Sequence, residues 1–328
     1  MLNVGIIGLG KMGQRHKDVF AKTSGATVTA LAEADEDRLE EVLEAHKGEH
    51  KPDTFADAED MMDEADVDAV SVCLPTPLHP NICKAALDRD LHVLCEKPMA
   101  LTSDLCEEVL DVAENSDGLF MVAHCIRFWP EYVYLKETIE SGRLGQLYNL
   151  MMWRASAPPT WSAEDWLLDS ERSGGPILDL HIHDVDFAQF LLGQPDAVYC
   201  TADGPGENVY GTVNALFSYE EGPTVSLGCD QMLPESYPFE MRYSATFEKG
   251  CLTFTTTRDP GLMEFTHGGQ DHPHVKHGDG YTEEISYFVE CIENNEAPAV
   301  CPPQSSAQAV RLVEAEKESI RSGDRTTI

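Results

Sequence analysis

Basic side chains are scarce in this chain. Across 328 residues, 23 lysines and arginines stand against 58 aspartates and glutamates, a formal charge of −35. A surface of that sign repels phosphate backbones and anionic lipid, so neither nucleic-acid binding nor membrane docking is expected. The sequence also lacks any apolar run approaching the roughly 18 residues of a membrane span. Its opening, MLNVGIIGLG, has no basic start and too short an apolar stretch for a signal peptide. Ten cysteines are present, yet no two form a Cys-x-x-Cys pair. Cys73 and Cys95 lie inside apolar runs, where a free thiol packs as a small hydrophobe. A reduced, cytoplasmic protein is the expectation. The remaining composition is ordinary, with 42% hydrophobic and 25% charged residues, at a length that suggests about two domains.

Up to residue 123 the pattern alternates between strands and helices. Strands are predicted at Leu2–Ile7, Thr27–Glu33, Asp68–Leu74, His92–Cys95 and Leu119–Ala123. Helices are predicted between them at Met12–Lys22, Glu36–His46, Pro80–Asp88 and Ser103–Ser116. AVSVCL and HVLC are apolar on consecutive residues, as strands are when both faces of a parallel sheet are covered. A doubly wound α/β sheet follows. From residue 124 to 328 the pattern changes. A helix at Glu131–Glu140 leads to a strand at Leu147–Arg154, a Pro/Trp-rich loop and a helix over Leu178–Leu192. Successive β-type runs then occupy Ala197–Thr257, punctuated by DGPG, EEGP and EKG. Helices at Thr282–Asn294 and Ser305–Ser322 close the chain. Strands without intervening helices imply a second α/β domain with a largely antiparallel sheet.

Gly8-Leu9-Gly10-Lys11-Met12-Gly13 follows the first strand and opens the first helix. Glycines so placed permit a tight turn, approach of backbone amides to a pyrophosphate, and close helix–strand packing. Glu33 ends the second strand twenty residues after Gly13, where an acid accepts hydrogen bonds from an adenosine ribose diol. The plainer reading is a tight turn and an exposed glutamate. Because Ala34 follows Glu33 and no basic residue adjoins it, NAD is favoured over NADP.

Two further signals carry chemistry. Cys95-Glu96-Lys97-Pro98 closes an apolar strand at the edge where open α/β sheets bind ligands. Lys97 is either an acid/base group there or a surface lysine paired with Glu96. In Ser173-Gly174-Gly175-Pro176-Ile177-Leu178-Asp179-Leu180-His181-Ile182-His183-Asp184, Asp179 and His183 are four apart, on one face of the expected helix. They read either as a ligand-binding couple or as a structural pair.

These segments, with Ser71-Val72-Cys73-Leu74-Pro75-Thr76-Pro77-Leu78-His79, resemble the glucose–fructose oxidoreductase / inositol dehydrogenase / rhizopine catabolism (Gfo/Idh/MocA) family over essentially the whole chain. The resemblance implies an N-terminal NAD-binding Rossmann domain (1–123). It implies a C-terminal domain (124–328) for substrate binding, whose open, mostly antiparallel sheet forms homodimers or homotetramers. By the same resemblance Lys97, Asp179 and His183 are catalytic and also contact substrate. Gly8, Gly10, Lys11, Met12, Gly13, Glu33, Pro75, Thr76, His79, Glu96 and Lys97 serve the cofactor, and Arg127 lies near the substrate. Pro98 corresponds to a proline often preceded by a cis bond. The chain departs from the common pattern with Pro176 in place of a third glycine and His181 in place of a small residue.

The implied reaction is hydride transfer between nicotinamide and a secondary alcohol of a sugar or cyclitol, a small-molecule partner. Trp153, Trp161 and Trp166 are candidates to stack on such a ring, or are ordinary packing residues. His181-Ile182-His183-Asp184 and His272-Pro273-His274-Val275-Lys276-His277 have spacings seen in metal sites, but neither supplies a complete ligand set, and no metal is expected. Three other readings remain: redox-neutral elimination through a transient 3-keto sugar, nucleotide-sugar dehydrogenation, and a non-catalytic NAD sensor.

Overall fold

Apolar runs bounded by acidic helix caps organise the first half of the molecule. The computed structural model describes residues 1–45, 51–205, 210–276 and 278–328. Their contacts fall into two units, one made of 1–125, 162–164 and 279–307, the other of 126–161, 165–278 and 308–328.

In the first unit, β1 (Leu2–Ile7), α1 (Lys11–Phe20), β2 (Ala26–Ala32) and α2 (Glu36–Glu44) come first. They are followed by β3 (Asp53–Phe55), α3 (Ala58–Glu64), β4 (Ala69–Val72) and α4 (His79–Leu87). β5 (His92–Glu96), α5 (Ser103–Ala113) and β6 (Phe120–Ala123) complete the series. The strands are parallel in the order β3-β2-β1-β4-β5-β6. β4 and β6 are buried at every position, in keeping with a sheet covered on both faces. Asp35, Asp57 and Thr102 cap α2, α3 and α5 by accepting backbone N–H bonds from the first turn. β3 and α3 are absent from the sequence reading: three mostly exposed residues and a helix whose buried contribution is Met61 and Met62 give little periodicity. The expected helix end at His46 lies outside the described residues.

In the second unit, α6 (Pro130–Ser141) leads to β7 (Leu147–Ala155) and to three short helices, α7 (Ser170–Ser173), α8 (Pro176–Asp179) and α9 (Ile182–Leu192). Then come β8 (Ala197–Asp203), β9 (Thr212–Ser218), β10 (Thr224–Asp230), β11 (Glu240–Phe247) and β12 (Gly250–Thr255). A hairpin the sequence reading lacks, β13 (Met263–Thr266) and β14 (Gly269–Asp271), follows. α10 (Gly280–Asn294) belongs to the first unit, and α11 (Pro303–Ser322) and β15 (Thr326–Thr327) end the chain. The sheet order is β14-β13-β12-β11-β7-β10-β9-β8-β15, antiparallel except for β7 with β10. That parallel pair follows from the long connection through α7, α8, α9, β8 and β9. Glycine 206 of the expected DGPG turn lies outside the described residues.

The second domain is therefore not the continuous 124–328 expected. Residues 279–307 return to the first unit, where Phe288 of α10 packs edge-on against Phe20 of α1 with centroids 6.5 Å apart. Asp279, the N-cap of α10, pairs with Arg15 of α1.

One face of the large sheet packs against α8 and α9. Tyr132 of α6 meets Phe187 of α9, Tyr243 of β11 and Phe254 of β12 edge-on, at centroid distances of 5.0, 5.3 and 5.7 Å. Three buried ion pairs fasten this layer. Arg127 donates to Asp186 at 2.9 and 2.5 Å, Arg154 of β7 to Asp184 at 2.8 Å, and His181 lies 3.1 Å from Glu316 of α11. Burial pushes the His181 pKa down, but the Glu316 carboxylate outweighs it and the net direction is up. A histidine raised in the fold favours folding fully below its unfolded value, about 6.5, and loses that contribution as pH climbs through the folded value. Glu316→Gln should thus cost about 1.5–3 kcal/mol at pH 6 and progressively less toward alkaline pH. Thermal unfolding of both proteins across that range checks this; a gap that widens with pH would contradict the pairing.

Candidate functional site

In the first unit, the carboxyl ends of β1, β2, β4 and β5 gather the expected cofactor residues. Gly8 has φ +85°, and a Cβ there would stand 2.6 Å from the Cys73 carbonyl. A Cβ on Gly13 would fall 1.8 Å from the Gly8 carbonyl, so helix α1 sits directly on the turn. Gly10 is different: its Cβ would meet nothing within 4 Å, which leaves open the space a pyrophosphate needs. Lys11 is exposed and Met12 half-buried beside it. Glu33 Oε2 accepts the Leu9 N–H at 2.7 Å, tying the end of β2 to the glycine turn. Although no basic residue adjoins Glu33 in sequence, the first turn of α2 brings Arg38 to 3.3 Å from its Oε1.

The lysine loop rests on a buried chain of polar groups. His16 of α1 bonds Ser71 through Nδ1 (2.8 Å) and Glu96 through Nε2 (3.0 Å), while Glu96 Oε2 accepts the Lys97 N–H at 3.1 Å. Burial lowers the His16 pKa, but Cys73 and Glu96 outweigh it and hold it well above the ordinary histidine value. Burial likewise raises the Glu96 carboxyl, yet His16 and Lys97 keep it below the usual range. The result is a buried histidine–carboxylate pair under the loop in which each partner favours the charged form of the other. The Lys97–Pro98 peptide is cis, as the resemblance implies. His79 sits beneath it with ring nitrogens 2.8 Å from the Pro98 carbonyl and 2.7 Å from that of Leu74. His79 is thus a brace between two loops, with Thr76 buried and Pro75 half-buried on the same segment. Between Val93 and Ala100, Lys97 is the one residue not buried. His16 escaped the sequence reading; its signal was a histidine three residues past Gly13 on the inward face of α1.

In the second unit, the single expected helix over Leu178–Leu192 is broken. Asp179 ends α8 and His183 is the second residue of α9, with Leu180 and His181 forming the joint. The joint is held by His181 N–H bonding back to Pro176, while its ring turns inward to Glu316. From Ile177 to Gln189, Asp179 and His183 are the two residues that are not buried. Both are half-buried, although the helix expected to carry them is interrupted.

The remaining candidates separate. Arg127 is buried with its guanidinium on Asp186 and its cationic centre 4.7 Å from the Phe190 ring, so it holds α9 in place. Trp153 lies on the sheet face opposite α8 and α9, over Gly228 and 5.5 Å from the Arg242 cationic centre. Side chains alternate across a strand, and its neighbours Met152 and Arg154 are the ones buried toward α9. Of its two readings, stacking on a substrate ring or ordinary packing, this position favours the packing one. Trp161 is exposed and Trp166 half-buried on the loop after β7. Among the described residues no three His, Cys, Asp or Glu side chains are placed to hold a metal. His277 of the expected histidine-rich loop lies outside them.

Comparison with known proteins accords with this layout. The family described as oxidoreductase family, NAD-binding Rossmann fold, matches residues 2–124, and the GFO/IDH/MocA C-terminal domain matches residues 132–253. The chain belongs to the Gfo/Idh/MocA oxidoreductase family. It is 27% identical to myo-inositol 2-dehydrogenase of Thermotoga maritima, over 97% of this chain and 96% of that one. It is also 27% identical to D-xylose 1-dehydrogenase (NADP(+)) 2 of Haloferax volcanii, over 97% of each. The fold matches that of levoglucosan dehydrogenase in complex with NADH and levoglucosan, with TM-score 0.87, 21% identity and 100% and 99% coverage.

As in other members of the family, the first unit is an NAD-binding Rossmann domain, and its residues fit that cofactor through the open space at Gly10 and the fixed carboxylate of Glu33. Two alanine substitutions should separate folding from binding. Gly13→Ala overpacks the turn and should cost about 1–3 kcal/mol of stability. Gly10→Ala should leave stability within about 0.5 kcal/mol while sharply weakening NADH binding. Thermal unfolding beside NADH fluorescence titration checks both, and full NADH affinity in Gly10→Ala would remove the loop from the site.

Proposed function

We propose that this protein is an NAD-dependent dehydrogenase oxidising a secondary alcohol of a neutral cyclitol or sugar. The observation that carries the reading is that Asp179 and His183 alone are half-buried within an otherwise buried stretch, in a chain whose family supplies the nicotinamide domain. The names of its relatives, inositol and xylose dehydrogenases, support the substrate class. The charge of −35 favours a neutral substrate, and Arg127 and Arg154 are engaged by Asp186 and Asp184, which weighs against a nucleotide sugar.

NAD bound along Gly8–Gly13 and Glu33 would supply the hydride acceptor. His183 takes the hydroxyl proton, since positive character grows on the carbon as its hydride leaves with the bonding electrons. Asp179 stabilises the imidazolium so formed. Lys97 orients the substrate hydroxyl and, as an ammonium, polarises the ketone in the reverse direction. Glu96 and His16 hold the Lys97 backbone in place from below. Lys97→Ala should cut turnover about a hundred- to ten-thousandfold with little change in NADH binding. A panel of inositols, sugars and nucleotide sugars with NAD and NADP, read by nicotinamide absorbance and product analysis, tests the whole. Ketone and NADH in equal amounts support it. Product without net NADH indicates elimination, and NAD binding without any turnover indicates a sensor.

The open face of the large sheet supports a homo-oligomer. Met151, Ser226, Leu216 and Tyr199 lie side by side across four strands, and the three apolar ones are 41%, 48% and 40% exposed. Such a row marks a surface for association. Leu216→Lys should shift the mass measured by light scattering toward the monomer; a monomeric parent protein would dismiss the interface.

A further inference from the structure

Helix α10 buries an acid without a partner. Glu284 is fully buried, and neither of its oxygens has a hydrogen-bond partner among the described residues. Ile285, Phe288 and Val289 are buried with it, so Glu284 stands on the inward face of the helix, which packs on α1 and β6. The charges around it come from each of these elements. On α1, His16 attracts its carboxylate form, while Arg15 is engaged by Asp279 and lies 5.3 Å from the Tyr281 ring centre. At the end of β5, Glu96 repels it, and Glu96 in turn holds the Lys97 N–H. His124 and Cys125 follow β6, with Cys125 hydrogen-bonded to the Tyr281 hydroxyl. Asp279, on its own helix, adds a further repulsion.

Two buried carboxyl groups thus stand beside one imidazole. Glu96 has His16 on Oε1 and the Lys97 N–H on Oε2, whereas Glu284 has neither. Two buried like charges do not both persist beside one cation, and the unpartnered group is the one that takes the proton. Burial first, and then Glu96, hold its pKa well above the ordinary glutamate value against the pull of His16. We propose that Glu284 is a positioning residue of the dinucleotide site, which as a neutral carboxylic acid leaves His16 to Glu96 alone so that this pair holds the Lys97 loop. Ionised, Glu284 would compete with Glu96 for the single imidazolium and place a second negative charge behind a loop that receives an anionic dinucleotide. Both effects weaken binding. By linkage, NADH and the Glu284 proton then favour each other. An acid that merely filled space would give way to an apolar residue with no effect on binding at any pH.

The inference rests on the dinucleotide site and needs no substrate, so its failure is distinct from failure of the dehydrogenase reading. NADH is titrated by fluorescence from about pH 5 to about pH 9 into the parent protein, Glu284→Gln and Glu284→Met, with circular dichroism to verify folding. The methionine variant covers the case in which glutamine does not fold. As pH climbs through the folded Glu284 value, parent affinity should fall about five- to a hundredfold relative to either uncharged variant. Stability carries the same sign. A glutamate raised in the fold favours folding fully below its unfolded value, about 4.3, and loses that contribution as pH rises toward the folded one. The parent's melting temperature should therefore drop relative to both variants over that interval. At neutral pH the infrared spectrum of the parent should contain the carbonyl stretch of a protonated buried carboxyl group, and both variants should lack it. NADH affinities that keep a constant ratio between parent and variants across the range would overturn the positioning role. Absence of the protonated carboxyl band would overturn the neutral acid, and a parent that binds no NADH would overturn both.

Discussion

Removing a carboxylate from water is the most demanding step in this fold. Each buried ion costs several kcal/mol unless it is partnered and hydrogen-bonded. The chain is rich in acids and poor in bases, so the partners it does place inside are informative. Glu96 is met by His16, Asp186 by Arg127, Asp184 by Arg154 and Glu316 by His181. Each pair joins elements far apart in sequence, and each stands next to a candidate catalytic side chain. Glu96 precedes Lys97, and the pairs at 181, 184 and 186 surround His183. Replacing such pairs by well-packed apolar residues is often neutral or favourable for stability. Their presence beside these positions is better explained by geometry, because a directional pair fixes a backbone more narrowly than an apolar contact does.

Periodicity made most of the architecture legible. Consecutive apolar residues in β1, β4, β5 and β6, with amphipathic helices between them, specify a parallel sheet, and its order places the glycine turn at the switch between β1 and β4. Failures of the sequence reading cluster where local signals are weak. Strand β3 has three residues, and β14, also of three, is exposed throughout. Helix α10 reads correctly as a helix, but nothing in its own pattern tells that Phe288 meets Phe20, some 268 positions earlier in the chain.

Candidate site residues divide in the same manner. Lys97, Asp179, His183 and the glycines are recognisable because their spacing has a local meaning: a strand end, a helical repeat, a tight turn. Arg127 and Trp153 are different. Their residue types suit a sugar pocket, but type does not reveal which partner or sheet face the fold assigns, and here those are Asp186 and the face away from α9. Arg38 was hidden for a related reason. Adjacency along the chain to Glu33 shows only Ala34, whereas one helical turn returns the guanidinium to the carboxylate.

Lys97 and the Asp179–His183 couple share one structural habit. Each projects from a segment whose other residues are buried, from Val93 to Ala100 in one unit and from Ile177 to Gln189 in the other. A reacting side chain must be reachable, yet its backbone must not move, because loosening the geometry erodes the benefit of holding groups in place. A half-buried side chain on an otherwise buried segment would meet both demands. The buried residues on either side supply stiffness through packing, and the polar pairs behind them set the direction. A surface lysine or histidine on a solvated helix would be as accessible, but it would spread over many rotamers and lose that orientation on every encounter. The joint between α8 and α9 is built in the same way. His181 is drawn inward by Glu316 at the joint, which anchors the chain between the two residues left half-exposed.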